Sequence, residues 1–568
     1  MKLFFIDNQK VQRFLYILLA ALLLFSFYPL LSSDPITSYD DQLLLGGVDN
    51  LHSFTEYKEK ILAGKILDVQ PVRDLSYIID FKLQSFFPLH SFHLTNLLLW
   101  IGICFFFKRI LDLIDDKKED HQWLIWSVVF LYALSPVFTS SVAWIAGRKH
   151  LLSTFFTVWA TYLFLKMRSS PAPLKNSSGI IILYILAVFS QPINILWPLF
   201  VFIYSYFDKK ISERKKLLIS LAVIAVIGLA INLYYYGSLY EQITAGDGKY
   251  DSAYGPGLSL LALGRYFYLT LFPFDSLPVS HYQGSWENMV GMVLMIIFLF
   301  WVYKRRVGAA VVFCFIAYFF LPLIPVTYKI TRIFCSDTYL LNASLGLYAA
   351  LFLIFKNAKF KYSAALVFAY AGILFYINLG YINIFESTES IFSYAYAKEA
   401  TPMSIVNVAD SLVKQGKYAN AKTLVSQLEV MEPDNRFYPK LMSDVIYKDP
   451  LVKNEEKIKG LELIKPKAPV VYLRLALLHS NQGNTAGFKD NVDKIFSDPQ
   501  GYIRNSYLRN EQVVALIKVG CEKNKIEVEC KNQYEAFSKV VKFNNWRPEL
   551  YKNFYFESKN NPNELAYE

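Results

Sequence analysis

Charge is scarce in this chain. Charged residues make up 18% of its 568 residues, against 54% hydrophobic and 17% aromatic. A water-soluble globular chain carries more charge and fewer aromatics. Several signatures are missing as well. There is no Walker motif, no Rossmann glycine pattern, no HExxH and no GxSxG, which argues against an ATPase, a zinc protease and a serine hydrolase. The matching pair of broken helices expected of an inverted-repeat transporter is also absent. Cysteine is limited to five residues. Cys521 and Cys530 have no His or Cys neighbours at metal-ligand spacing, so no zinc site is expected. From Glu386 onward no long apolar run exists, so two architectures share the chain.

Apolar runs of about 17–23 residues, the length a bilayer-spanning helix needs, recur between Phe14 and Leu379. They predict about eleven spans, near 13–32, 92–114, 122–142, 150–167, 178–191, 192–207, 217–236, 287–303, 308–326, 338–355 and 362–381. The Gln191-Pro192 turn leaves a single kinked helix open as an alternative for the fifth and sixth. Basic clusters around Lys2, Lys108, Lys166, Lys209, Lys304 and Lys356 then fall on one side, which is the cytoplasmic side by the positive-inside rule. The net charge of +11 is read as these loops rather than as a nucleic-acid surface. The first run, from Phe14 to Leu31, is long for a signal peptide and lacks a small-x-small cleavage site, so it reads as a retained anchor. An odd number of spans places the N-terminus in the cytoplasm and the C-terminal segment outside it.

The fold expected is all-α: a polytopic transmembrane helical bundle over 1–385 and a soluble helical domain over 400–568. After Val408, Leu412, Gly416, Tyr418, Ala421, Leu428 and Pro433 fall at the positions of a tetratricopeptide repeat, a helix–turn–helix unit of about 34 residues. A weaker copy spans Val471 to Pro499, with Leu475, Leu478, Gly483 and Phe488. A generic helical bundle is the alternative. Cys521 and Cys530 form a disulfide candidate if this domain lies in an oxidising compartment; two unrelated thiols are the other possibility.

Chemistry is expected on the outer side. Asp40-Asp41, just past the first run, are adjacent carboxylates near a bilayer. Such a pair can serve as a general base on a hydroxyl or bind a divalent cation, or it can be a solvated loop or helix cap. Basic residues on that side run against the topological bias, and an anionic ligand would explain them. They include Arg73, Arg148, Lys149, His150, Arg265 and Arg332. Gly147 permits a tight turn before Arg148-Lys149-His150, a donor set suited to phosphate. Arg332 to Tyr339 is a second such segment, where Tyr and Arg also serve as interfacial anchors.

Taken in order, several segments resemble one family. They are Tyr39-Asp40-Asp41; Gln70-Pro71-Val72-Arg73-Asp74-Leu75-Ser76; Pro88 with His93-Leu94-Thr95-Asn96; Pro136 with Ser141 through Ser153; Arg265-Tyr266 with Leu271-Phe272-Pro273; and Ser336-Asp337-Thr338-Tyr339. The set resembles the multi-span protein O-mannosyltransferase-like glycosyltransferases of the GT-C class that carry C-terminal tetratricopeptide repeats. The resemblance implies an extracytoplasmic active site and a polyprenyl-phosphate sugar donor, with no cofactor required. It implies that Asp41 or Asp40 activates an acceptor Ser/Thr hydroxyl. Arg148, Lys149, His150 and Arg332 would face the donor phosphate, with Arg73, His93, Arg265, Asp337 and Tyr339 as further site residues. The partners implied are membrane lipid, the lipid-linked sugar and an acceptor protein, in a bacterial inner membrane. The chain departs from the family pattern at Gln70, Trp100, His150 and Thr338. A non-catalytic scaffold whose repeat domain recruits envelope proteins is the second expectation.

Overall fold

The computed structural model describes residues 9–32, 55, 57–58, 70–84, 91–115, 121–167, 173–244, 256–276, 286–305, 310–324, 336–357, 363–398, 400–433, 435, 437–465, 468–497, 521 and 523–526. Every regular element among them is helical. The chain divides into two compact units, Met1–Ile391 and Phe392–Glu568.

The first unit contains α1 (Gln9–Phe27), α2 (Pro71–Gln84), α3 (Ser91–Ile114), α4 (Gln122–Ala133), α5 (Thr139–Ala143), α6 (Arg148–Lys166), α7 (Pro173–Ser190), α8 (Trp197–Phe207), α9 (Ile211–Thr244), α10 (Pro256–Leu271), α11 (Trp286–Arg305), α12 (Ala310–Phe320), α13 (Leu340–Asn357) and α14 (Ser363–Ile382). One-turn 3-10 segments join some of them, at Pro136–Phe138, Ile145–Gly147, Pro192–Asn194, Pro273–Asp275 and Asp337–Tyr339. The helices α2, α7 and α10 start on proline, whose missing N–H and fixed φ suit the first helical position.

Among the described residues, four helices are long and apolar enough to cross a membrane: Gln9–Leu31, Trp286–Lys304, Asp337–Lys356 and Ser363–Glu386. A fifth candidate is the pair Gln122–Ala133 and Pro136–Ala143, bent by 46° at the break. Ser177–Ser190, Pro192–Phe207 and Ala310–Phe320 are apolar but shorter. An eleven-residue helix reaches only about 17 Å, against a hydrocarbon core of about 30 Å. The helix α11 turns Met289, Val293, Ile296, Ile297 and Phe300 outward, with Trp286 and Tyr303 exposed at its two ends. Such a face suits lipid, with aromatic residues at the interfaces.

The bundle interior is aromatic. Trp100, Tyr132 and Phe138 pack with ring centroids 4.7–5.5 Å apart, and Phe107 and Tyr348 close on Tyr132. The Tyr132 hydroxyl donates to the Leu341 carbonyl at 2.7 Å, so its one polar atom is satisfied. A chain of buried polar groups runs beside this core. Gln70 donates to Gln191 (2.7 Å), Ser153 to the Gln191 carbonyl (2.9 Å), Asn194 to Ser153 (3.0 Å), Asn342 to Asn194 (2.5 Å) and Tyr318 to Asn342 (2.8 Å). These bonds tie α2, α6, α12 and α13 to the Pro192 turn.

The second unit stacks helix pairs: α16 (Pro402–Lys414) with α17 (Tyr418–Met431), α18 (Tyr438–Lys448) with α19 (Asn454–Leu463), and α20 (Pro469–Asn481) with α21 (Thr485–Ser497); α15 (Thr388–Lys398) precedes them. Thr401 and Ser404 form a capping box at the start of α16. The first and third pairs turn in the same way. Gly416 and Gly483 have φ near +73°, the left-handed conformation in which glycine carries no Cβ penalty. The Lys417 amide reaches the Leu412 carbonyl and the Asn484 amide reaches that of His479, both at 2.9 Å. Both are therefore Schellman closures. Ala409, Ala421, Val425, Leu428, Leu441, Leu461 and Leu475 fill one shared core. Cys521, which is disulfide-bonded, packs with Leu473, Phe488 and Val492. Its expected partner, Cys530, lies outside the described residues.

Across α16, α18 and α20 runs a ladder of charges centred on Asp444, whose side chain is 4% exposed. Arg474 bonds its carboxylate, and Lys440 and Lys448 approach at 3.0 and 3.7 Å. Burial alone would raise the Asp444 carboxyl, but these three cations together pull it down from 3.8 to about 2. A carboxyl depressed on folding contributes stability above its unfolded value and loses it as pH falls through the folded one. The ladder therefore holds at neutral pH and weakens only between 3.8 and about 2. Converting the shift gives about 2 kcal/mol. Asp444→Asn should lower the melting temperature of this unit at pH 7, and acid titration to pH 2 should bring wild type and variant together. An unchanged melting temperature at pH 7 would show that the ladder contributes nothing.

Candidate functional site

Two buried polar clusters form where the 3-10 turns join the helices of the first unit. The first centres on Arg148, at the start of α6 and fully buried. Its Nη1 meets Asp80 Oδ2 at 2.5 Å. Its Nε donates to Asn96 Oδ1 at 2.8 Å, and its Nη2 to the Phe92 carbonyl at 2.6 Å. The guanidinium lies 4.8 Å from the Tyr77 ring centroid and 5.6 Å from that of Phe92, close enough for cation–π attraction. One residue thus joins α6 to α2 and α3.

The surroundings hold that geometry. Asp80 also accepts from Thr95 at 2.8 Å. Asn96 donates to the carbonyls of Val142 and Trp144, and Tyr77 to that of Ile145. These bonds fix the turn that precedes α6. At Gly147 a Cβ would stand 2.5 Å from the Ser141 carbonyl oxygen, so only glycine fits. One helical turn before Tyr77, Arg73 pairs with Asp74 at 2.7 Å. The Tyr57 hydroxyl donates to the same carboxylate at 2.6 Å, and the Gln70 amide at 3.1 Å. Burial raises both the Asp74 and Asp80 carboxyls above the usual range, with Arg73 and Arg148 respectively pulling against it.

The second cluster lies around the Asp337–Tyr339 turn. Asp337 is 1% exposed, within the electrostatic reach of Arg265. Arg265 stands 4.0 Å from Glu287. The Ser336 amide donates to the Tyr266 hydroxyl at 3.2 Å, and Ser336 and Thr338 share a 2.8 Å hydroxyl bond. The His150 ring meets Tyr339 edge-on at 5.5 Å. Asp337 Oδ2 and the hydroxyls of Ser140 and Ser141 are buried with no hydrogen-bond partner among the described residues. Such atoms are costly to leave dry.

The sequence candidates therefore divide. Arg73, Arg148 and the buried His93 belong to α2, α3 and the first turn of α6. Arg265, Asp337, Tyr339 and His150 belong to the second cluster. Arg148 and His150 sit two positions apart on α6, about 200° around the helix, so they face different neighbours. Lys149 between them is partly exposed. Asp40, Asp41 and Arg332 lie outside the described residues.

Arg148 was expected to face a donor phosphate; in the structure its three nitrogens bond Asp80, Asn96 and the Phe92 carbonyl, so it joins α6 to α2 and α3. Asp80 and Asn96 were missed as its partners, because nothing in the spacing of Asp80 and Arg148 points from one to the other. Gln70, Trp100, His150 and Thr338 each have a partner in the structure. Gln70 bonds Gln191, Trp100 fills the aromatic core, His150 packs on Tyr339, and Thr338 bonds Ser336. Comparison with family models, with curated proteins and with solved structures finds no match to this chain.

Removing one partner of a buried pair leaves an uncompensated charge, at a cost of about 3–5 kcal/mol. Arg148→Met should therefore destabilise the first unit strongly in a detergent melting assay. Adding Asp80→Leu should recover part of the loss, because both charges are then gone. A single variant as stable as wild type would overturn the anchoring role.

Proposed function

We propose that this chain is a membrane glycosyltransferase. It moves a sugar from a polyprenyl-phosphate carrier to a hydroxyl on an extracytoplasmic acceptor, with protein Ser or Thr as the favoured class. The observation that supports this reading best is the gathering of the quoted motifs. Segments around residues 73, 93, 148, 265 and 337, remote in sequence, supply two buried charged clusters whose elements meet at α6. Folding charges into an apolar bundle is costly, and unsatisfied oxygens on Asp337, Ser140 and Ser141 are groups that a bound polar molecule or water would satisfy.

In this reading eleven apolar segments cross the bilayer: α1, α3, α4 with α5, α6, α7, α8 with the Pro192 turn before it, α9, α11, α12 with its flanking residues over 308–326, α13 and α14. The second unit is a tetratricopeptide-like array outside the cytoplasm. The two Schellman-closed glycine turns, about two 34-residue repeats apart, support the array. A disulfide at Cys521 suits an oxidising compartment such as the space outside a bacterial inner membrane.

The chemistry follows from the acceptor. A Ser or Thr hydroxyl is a poor nucleophile at neutral pH, so its attack on the anomeric carbon needs a base. Asp41, or Asp40 beside it, takes that proton. The leaving phosphate gains charge in the transition state and needs a cation. With Arg148 committed to Asp80, that part falls to Lys149, His150 or Arg332.

The neutralisation of Arg73 and Arg148 favours a second reading, a non-catalytic scaffold on the same frame. One assay separates the two. Transfer from a lipid-linked sugar to a peptide should fall roughly a hundredfold or more in an Asp40→Asn/Asp41→Asn double variant, the scale of a lost general base. Unchanged transfer would sink the base assignment and put the scaffold ahead. Topology has its own check. Reporter fusions at Lys210 and Asn435 should register opposite sides of the membrane, and same-side signals would overturn the span count.

A further inference from the structure

The groove between α3 and α6 carries an ordered stripe. On α3, Phe106 and Arg109 stand one turn apart. On α6, Phe155, Trp159, Tyr162 and Lys166 follow one another three or four positions apart, the spacing that puts side chains on one face of a helix. The two faces meet. Phe106 stacks on Trp159 with ring centroids 5.2 Å apart and lies 5.8 Å from both Phe155 and Tyr162. Gly102, one turn before Phe106, leaves room for the Phe155 ring, because a Cβ there would stand 2.6 Å from it. The stripe ends in charge. Arg109 lies 6.0 Å and Lys166 5.7 Å from the Tyr162 ring centroid, so cations from two helices converge on one ring. The rings are half-buried and both cations are exposed. Asp112 pairs with Lys108 at 2.8 Å and stands farther from Arg109, at 3.9 Å. Lys166 pairs with no carboxylate among the described residues.

We propose that this groove binds an anionic phospholipid, with the headgroup phosphate at Arg109 and Lys166 and an acyl chain along Trp159 and Phe155. The proposal rests on the reading that α3 and α6 cross the bilayer with these ends at the cytoplasmic face, and it adds a ligand that the transfer reaction does not use. Length supports it. The eleven positions from Phe155 to Lys166 rise roughly 16 Å along the helix, about half of a ~30 Å hydrocarbon core. The stripe thus runs the depth of one leaflet. Its chemistry changes at the same depth: rings lie where acyl chains lie, and the two cations lie where long basic side chains reach toward headgroups. The half-buried rings offer an acyl chain dispersion contacts along a fixed surface. Charge complementarity selects the headgroup. A zwitterionic lipid brings its own ammonium, which competes with Arg109 and Lys166 for the phosphate, whereas a net-negative lipid leaves the phosphate to them.

The test uses the full chain in neutral maltoside micelles. Native mass spectrometry follows bound lipid as dioleoyl phosphatidylglycerol or dioleoyl phosphatidylcholine is added. Phosphatidylglycerol should bind more tightly, and its advantage should shrink as ammonium acetate rises from about 50 to about 500 mM. Arg109→Gln and Lys166→Gln should each weaken phosphatidylglycerol by roughly fivefold, the scale of one basic side chain at an anionic lipid surface, and leave phosphatidylcholine unchanged. Lys166→Arg should retain most of the affinity, and Trp159→Leu should weaken both lipids alike. Lys166 stands at an exposed helix end, so Lys166→Gln decides the matter if Arg109→Gln fails to fold. Equal binding of the two lipids would overturn the proposal. So would a phosphatidylglycerol preference that survives both Gln substitutions in folded protein. Inorganic phosphate and a Glu-Gly repeat peptide, each added at matched ionic strength, should leave the lipid bound. Displacement by phosphate would assign the cations to a free anion, displacement by the peptide would assign them to a protein partner, and either would overturn the lipid assignment. The micelle measurement does not depend on which helices cross a bilayer. Absence of a headgroup preference, beside opposite-side reporter signals at Lys210 and Asn435, would strike this site and leave the span reading standing.

Discussion

The first unit depends on a buried ion pair. Arg148 and Asp80 meet at 2.5 Å with side chains 0% and 2% exposed, inside a unit whose interior is otherwise mostly apolar. The desolvation of two such charges is repaid only when geometry and additional hydrogen bonds are good. Here Asn96, Thr95 and the Phe92 carbonyl supply those bonds. The pair therefore constrains more than itself. It holds α2 against α3 and α6. Through Asn96 and Tyr77 it also holds the backbone of the Val142–Ile145 turn.

That constraint shapes the candidate chemistry. With Arg148 fixed toward α2 and α3, the same helical turn presents His150 to Tyr339 on another side. The first turn of α6 is thus a junction between an anchored cluster and one whose buried oxygens on Asp337, Ser140 and Ser141 have no partner among the described residues. A residue saturated by protein is a poor ligand for a mobile phosphate, whereas a buried oxygen with no partner has something to gain from a bound molecule or water. The polar chain from Gln70 through Gln191, Ser153, Asn194 and Asn342 to Tyr318 extends the same logic into the bundle. Each member satisfies a neighbour, which is the condition for a polar group to be tolerated there.

The second unit solves a different problem. Its helix pairs bury Ala409, Ala421, Leu428, Leu461 and Leu475 in a continuous core, and neighbouring pairs supply what one pair could not bury alone. The charges around Asp444 and Asp410 sit between successive pairs. Asp444 couples α18 to α20, and Asp410 couples α16 to α18. Buried charges of this kind constrain how pairs stack, because a shifted stack would leave a carboxylate without its cation.

Much of the architecture was legible in the chain. Apolar runs at bilayer length, followed by a charged segment without them, specify a helical membrane-type portion and a separate helical tail, because backbone groups in an apolar medium must bond within their own segment. Gly416 and Gly483 could be read as helix-ending positions, since they need no partner from elsewhere in the chain. The quoted motifs identified most residues of both clusters by type. Their partners were not legible. Asp80 and Arg148 are far apart in sequence, and so are Asp337 and Arg265. Which cation meets which carboxylate depends on how helices cross, and that is decided by packing after the helices exist. The sequence alone thus determined where helices form and which residues carry charge. The tertiary structure alone decided that Arg148 meets Asp80, that His150 turns to a different neighbour, and that Lys448 and Arg474 both approach Asp444. Local preferences act over a few residues, whereas an ion pair is specified only by the position of its partner in space.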